Sequence, residues 1–443
     1  MPSPDREPAE YLCPGETHPI SRSVHLARLA AFYPACRECP CRNETGQLPQ
    51  ELIGRFAETR QRAPRPTWIK GEGVRAVYLN ELDRPRTADW AAALALRLWD
   101  DIPRPGRESP TPPADTDSAS PLRRHAGPSV VVGYDERSSS PDLFAGAVLG
   151  LRRMGCQVID IGLTTKPCWR FAVHHLEGAA GIYITGAGCD PAWTGFDLAG
   201  RSGIPWNRAT ELVALEQRSR ESVMRPTRQA GAVRSFRAMI PYRAGLRKHF
   251  HALRPLRLAC GQPGGLGTRW LEQLFAELPC QLVPVPLPVR RRQLDDPADG
   301  DILRVAECIA REGLDLGLVI DDDGERCTIL DETGTPLAQR QVVDMLCRRL
   351  LRDHPGGTVV VTSDLASHLG VTVGALSGTL VVTGHDSAEL ARAVSAEHAV
   401  LGAGSDQRCW FDEDYPACDA ILTLAATLQA LSWSDAPLSE VAR

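Results

Sequence analysis

The chain has 443 residues, 14 cysteines and a formal net charge of −5 at pH 7. That length exceeds what one hydrophobic core organises, so two to four domains are expected. The slight acidity argues against a general nucleic-acid binder, and no apolar run is long enough to cross a bilayer.

In chain order, Met1 to Glu10 is polar and acidic, unlike a secretory leader. Residues 1–65 read as a separate cysteine-rich module, with the C-x-x-C pair Cys36 and Cys39, Cys13 upstream and Cys41 beside it. Zinc takes four N/S ligands in a tetrahedron, and so short a segment has little core of its own, so a metal staple is expected. The expected set is Cys13, Cys36 and Cys39 with His18 or Cys41. His25 offers a further nitrogen, and an iron–sulfur cluster on four cysteines is the alternative. The plain reading is an N-terminal helix over His18–Phe32 whose cysteines take no metal. Later cysteines, such as Cys156, Cys260, Cys280, Cys308 and Cys347, stand singly in apolar surroundings, the pattern of reduced, buried thiols. A soluble cytoplasmic protein is therefore expected.

Residues 66–102 read as a short β segment followed by a helix with Trp90, Ala91, Leu94, Leu96 and Leu98 on its apolar face. Residues 103–128, rich in Pro, Ser, Asp and Arg, cannot bury enough surface to order themselves and are predicted to be a flexible insertion. Strands at Ser129–Gly133, Gln157–Ile161 and Ala180–Ile184 then alternate with helices at Pro141–Met154 and Trp169–His175. Such alternation predicts a parallel sheet with helical crossovers. It restarts at Leu256–Cys260 and at Gly357–Thr362, so three α/β units follow the N-terminal module.

The run Asp321-Asp322-Asp323-Gly324-Glu325-Arg326 follows a buried strand, Leu314–Ile320. Asp321, Asp323 and Glu325 recur at every second position, which in an extended loop turns all three to one side. Gly324 permits the tight curve, and converging carboxylates suit Mg²⁺, with Arg326 placed to hold an anion beside it. The plain alternative is an acidic turn at a strand end.

This run resembles the D-G-D-G-D-R metal loop of the α-D-phosphohexomutases, the phosphomannomutase/phosphoglucomutase family, with Asp322 and Glu325 replacing its Gly and last Asp. Gly71-Glu72-Gly73-Val74-Arg75-Ala76 is similar to the family's G-T-D-G-I-R-G, and Gly133-Tyr134-Asp135-Glu136-Arg137-Ser138-Ser139-Ser140-Pro141 to its G-R-D-T-R-x-S-S-P. Gly384-His385 resembles its sugar-loop G-H, and Asp419–Leu424 the helix closing its third domain. The resemblance implies three consecutive α/β/α mutase-type domains, at 66–238, 239–336 and 337–443, behind the small Cys-rich module. The family's fourth domain, with its R-x-S-G-T phosphate clamp, finds no counterpart in these residues.

In the family, the T-A-S-H-N-P turn carries the serine that shuttles the phosphoryl group. Here the turn reads Thr185-Gly186-Ala187-Gly188-Cys189-Asp190-Pro191, with no hydroxyl between 186 and 190. Phosphoryl transfer through an enzyme intermediate needs a nucleophile there. Asp190 is the better substitute and Cys189 the other, against the plain reading that Asp190 caps a turn. The family's N-G-F-K becomes Thr194-Gly195-Phe196-Asp197, so a lysine has become an acid. Its sugar glutamate falls on Gly404 and its serine on Asp406. Remaining candidates for substrate or anion contact are Arg75, Arg137, Arg326, Gly384, His385, Ser405 and Gln407. The resemblance implies Mg²⁺ at the acidic loop and a hexose phosphate ligand. Two functions are expected to compete: a catalytically degenerate homologue that binds sugar phosphate, metal or a protein partner, and a divergent phosphosugar enzyme using a new nucleophile or a partner chain.

Overall fold

The computed structural model of the protein describes residues 10–12, 17–31, 33–37, 39–61, 67–101, 127–220 and 226–443. Cys13, and residues 103–126 of the expected insertion, lie outside them. Two compact units form, Met1–Trp68 and Ile69–Arg443.

In the first unit β1 (Glu10–Tyr11) pairs antiparallel with β2 (Ile20–Ser21), which runs into α1 (Arg22–Ala30); α2 (Gln50–Gln61) follows. The helix starts later than the His18 expected, because Ser21 is extended and its hydroxyl accepts from Val24 N. His25 is fully buried, stacked on the Tyr11 ring at 4.0 Å between centroids, with Nε2 3.2 Å from the Glu44 carbonyl. Cys36 and Cys39 are buried as well.

The second unit holds three mixed sheets. The first has the order β3 (Ile69–Lys70), β4 (Gly73–Val77), β8 (Trp193–Ala199), β7 (Ala180–Ile184), β5 (Ser129–Tyr134), β6 (Gln157–Leu163), β9 (Val233–Ser235). Two helices pack on it, α4 (Ser140–Arg153) and α5 (Lys166–His175), and α3 (Arg84–Asp100) packs along α4. Asp83 caps α3 by accepting from Arg86 N at 2.9 Å, with Pro85 in the first turn. The expected parallel order holds from β7 to β9, but β7–β8, β8–β4 and β4–β3 are antiparallel. The short turn from β7 to β8 leaves no room for a crossover helix, so the chain returns as a hairpin.

Beyond α6 (Val213–Ser219) and α7 (Met239–Arg247) comes the second sheet. Its order is β11 (Gln281–Leu287), β10 (Arg257–Pro263), β12 (Leu316–Ile320), β13 (Cys327–Leu330), with α8 (Leu266–Phe275) and α9 (Gly300–Glu312). The outer strand β11 carries Pro284 and Pro286, opposite Cys260 and Gln262. After α10 (Gln339–Asp353), the third sheet runs β15 (Thr379–Thr383), β14 (Thr358–Thr362), β16 (Leu401–Ala403), β17 (Cys409–Asp412), β18 (Pro416–Cys418). It carries α11 (Ser363–Ala375) and α12 (Ser387–Ala396), and α13 (Ala420–Leu431) and α14 (Leu438–Val441) close the chain. One apolar core runs through the whole unit, joining Trp169 and Tyr183, Leu258 and Ile320, Val359 and Leu401, and Leu424 and Leu428. This fixes the ends of β4, β7, β8, β12 and β17 around a common cleft.

Candidate functional site

The cleft encloses about 560 Å³, a size that suits a small ligand. Its floor is charged and buried. The acidic loop joins β12 to β13, and Gly324 makes its turn at φ +72°, with its N–H donating to the Asp321 carbonyl at 3.0 Å. Asp321, Asp323 and Glu325 are at most 5% exposed, and each is taken up by cations of the protein. Arg326 binds Asp321, and Arg408 donates to Asp323 at 2.9 Å. Glu325 accepts from Arg170 and lies 3.0 Å from Lys166 Nζ and 3.3 Å from Arg408 Nε. Asp322 bridges Arg137, at 3.0 Å, and Arg292. The remaining Asp323 oxygen accepts from the Glu325 and Arg326 backbone N–H groups.

In place of an open Mg²⁺ loop, the structure shows an ion-paired one. Four acids meet six cationic side chains, and among the described residues no group of three or more His, Cys, Asp or Glu is arranged to hold a metal ion. Each of these carboxylates has at least one oxygen engaged by a guanidinium or ammonium group, so the set as it stands does not fit a hard dication. The zinc expectation gains no support either. His18 sits at the surface, where Thr17 Oγ1 lies 2.8 Å from its Nδ1, and it joins no ligand cluster with Cys36, Cys39 or Cys41.

Lys166 and Arg170, one turn apart at the start of α5, are the centre of the network, and the sequence reading missed both. Lys166 Nζ lies 2.6 Å from Glu72, 3.0 Å from Asp197 and 3.0 Å from Glu325. Arg170 joins Glu72, at 2.6 Å, to Glu325. Arg75 pairs with Asp197 at 2.6 Å and donates to the Ala187 carbonyl. Burial pushes Glu72 upward, but Arg170 and Lys166 outweigh it and hold this carboxyl well below its usual range. Asp197 is likewise lowered, by Arg75 and Lys166 against its own burial. For Glu325, the most enclosed, burial prevails and the shift is upward. Two cations spaced i,i+4 on one helix face were the legible signal.

The turn Thr185–Pro191 lies along the cleft and is pinned through its carbonyls. Arg137 donates to Cys189 O, Asp190 O and Trp193 O and does not line this cleft. Gly188 has φ +74° and faces Arg326. Cys189 and Asp190 line the cleft, and the Asp190 backbone carbonyl also accepts from Trp193 N at 2.9 Å. Arg75, Arg326 and His385 reach the cleft, whereas Gly384, Ser405 and Gln407 do not line it. Burial and the charge of Arg408 lower the Arg326 guanidinium to about 10, so it stays protonated at neutral pH. Lys70, Arg208 and Arg291 also line the cleft, and none has a carboxylate partner among the described residues. Lys70 lies 4.0 Å over the Trp193 ring.

Residues 118–222 match the family model described as phosphoglucomutase/phosphomannomutase, alpha/beta/alpha domain I. The chain is 26% identical over 317 residues to a phosphomannomutase/phosphoglucomutase of Pseudomonas aeruginosa, covering 69% of this chain and 66% of that protein. These matches support membership of the α-D-phosphohexomutase superfamily. A Thermococcus kodakarensis phosphoglucomutase/phosphomannomutase is 24% identical over 383 residues, covering 83% of this chain and 78% of its own. The fold agrees with a phosphoglucomutase/phosphomannomutase family protein from Burkholderia thailandensis, at a TM-score of 0.71 and 19% identity over 84% of this chain and 78% of that one. It also agrees with a phosphomannomutase from Thermus thermophilus, at 0.68 and 20% over 86% and 83%. The aligned part is just under two thirds of the Pseudomonas protein's length. Among the described residues no helix is long and apolar enough to cross a membrane.

Proposed function

We propose that this phosphohexomutase homologue binds a hexose phosphate in the cleft and does not pass its phosphoryl group through an enzyme nucleophile. The observation that carries this reading is the turn Thr185–Pro191, whose residues Ala187–Asp190 line the cleft, and which offers no hydroxyl between 186 and 190. The mutase-type units at 66–238, 239–336 and 337–443 surround the ligand in this reading. Lys70, Arg208, Arg291 and Arg326 hold the phosphate, because ionised donors bind phosphate oxygens about twice as strongly as neutral ones. His385, mostly exposed beside Ser363, faces the sugar.

The test combines binding and turnover. Glucose 1-phosphate, glucose 6-phosphate or mannose 6-phosphate is expected to raise the melting temperature, and a coupled mutase assay with a bisphosphate activator is expected to stay at background. No shift with any hexose phosphate would overturn the binding reading. Cys189 and Asp190 line the cleft, and this favours a second reading, a divergent phosphotransferase. Turnover together with a phosphoryl adduct mapped to either residue would establish it in place of the first.

A further inference from the structure

The carboxylates of Glu72, Asp197 and Glu325 come from the β3–β4 turn, from β8 and from the acidic loop, and all three meet one atom, Lys166 Nζ. Lys166 is 2% exposed and Glu325 0%. Three hard oxygens from three segments around one cation is the plan of a metal centre, but the distances of 2.6–3.0 Å suit an ammonium, not Mg²⁺ at about 2.1 Å. The surrounding charge is already balanced. Arg170 serves Glu72 and Glu325, Arg75 serves Asp197, and Arg408 serves Glu325 and Asp323. A dication added here meets four cations held by the fold.

We propose that Lys166 is the resident cation of this centre, beside the acidic loop that resembles the superfamily's metal loop, so that the cleft takes its anionic ligand without a divalent ion. The proposal rests on the hexose-phosphate reading above. The ammonium holds the acidic loop against α5 and β8 and keeps its carboxylates from repelling the ligand phosphate. Because it is tethered, this cation is present at every metal concentration.

Calorimetric titration of the wild type with glucose 1-phosphate, once in EDTA and once in millimolar Mg²⁺, tests this directly. Affinities within about twofold are expected. Binding at least about tenfold tighter with Mg²⁺ would overturn the proposal. If glucose 1-phosphate binds in neither buffer, the hexose-phosphate reading fails, and the cation question is decided by Mg²⁺ or Mn²⁺ alone. A wild-type melting temperature that either ion leaves unchanged supports the resident lysine, and a rise overturns it. Lys166→Met removes the charge at similar length and exposes the three carboxylates. This variant is expected to gain a Mn²⁺-dependent rise in melting temperature that Lys166→Arg lacks. A folded Lys166→Met protein indifferent to Mn²⁺ would count against the carboxylates as a cation site.

Discussion

Lys166 Nζ lies 3.0 Å from Asp197 Oδ2, and Asp197 occupies the sequence position where the phosphohexomutase motif carries a lysine. In this chain the positive charge comes from the first turn of α5, and the two residues face each other across one small volume. A reversal that reads from sequence as a loss of several kcal/mol of attraction for phosphate is offset here by Lys166 beside Asp197. Both charges are buried in one ion-pair network.

Glu325→Gln is expected to destabilise the fold by about 3–5 kcal/mol, because it leaves Lys166, Arg170 and Arg408 short of a buried counter-charge. Urea unfolding measures it. A loss under about 1 kcal/mol would show that the network tolerates the excess charge.

The stability–pH profile has two windows of opposite sign. Glu72 and Asp197 have depressed folded values, so their contribution is present above about pH 4 and is lost as pH falls further. Asp419 behaves oppositely. Burial pushes it up to about 7, although Tyr242 donates to it at 2.6 Å. As pH rises from about 4 to about 7 the unfolded chain loses this proton while the folded one keeps it, so stability falls and then levels. Glu325 and Asp322 are also raised and act in the same sense. Asp419→Asn, with the N-cap of α13 retained, is expected to flatten part of that decline in urea melts at pH 5 and pH 8, and an unchanged slope would remove Asp419 from the account.

Lys70→Ala, Arg208→Ala and Arg291→Ala each remove one cleft cation that has no carboxylate partner among the described residues. Each is expected to weaken glucose 1-phosphate binding by about tenfold while leaving the melting temperature almost unchanged. Calorimetry on all three separates a shared phosphate contact from a single dominant one.

Two glycines give opposite expectations for one added methyl group. A Cβ on Gly195 would stand 1.8 Å from the Val74 carbonyl, so Gly195→Ala is expected to separate β4 from β8 and prevent folding of the first sheet. Gly245, inside α7, has nothing within 4 Å, so Gly245→Ala is expected to stabilise by up to about 1 kcal/mol. Thermal melts of the pair check the space assigned to each.

The buried strands were plain in the sequence because Ser129–Gly133, Ala180–Ile184 and Leu314–Ile320 are short apolar runs between turn signals. Trp193–Ala199 was not, since Thr194, Gly195 and Asp197 break the run, and each is buried only because of a distant partner. The acidic loop was plain in the sequence, but the cations that meet it were not. Its counter-ions come from positions as remote as Arg170, 155 residues earlier, and Arg408, 83 residues later. Local spacing shows that acids converge, but which charge meets them is decided by the packing of α5 and β17 onto the loop.

Pro284 and Pro286 stand in β11, an outer strand of the second sheet. Proline has no backbone N–H to offer a neighbour, so a foreign strand laid along β11 finds an interrupted ladder. The outer strand β15 of the third sheet, Thr379-Leu380-Val381-Val382-Thr383, has no such interruption, and Val382 is half exposed. Of these two parallel edges, one is closed to self-association by its own sequence, and intermolecular strand pairing in a crowded solution is left to the other.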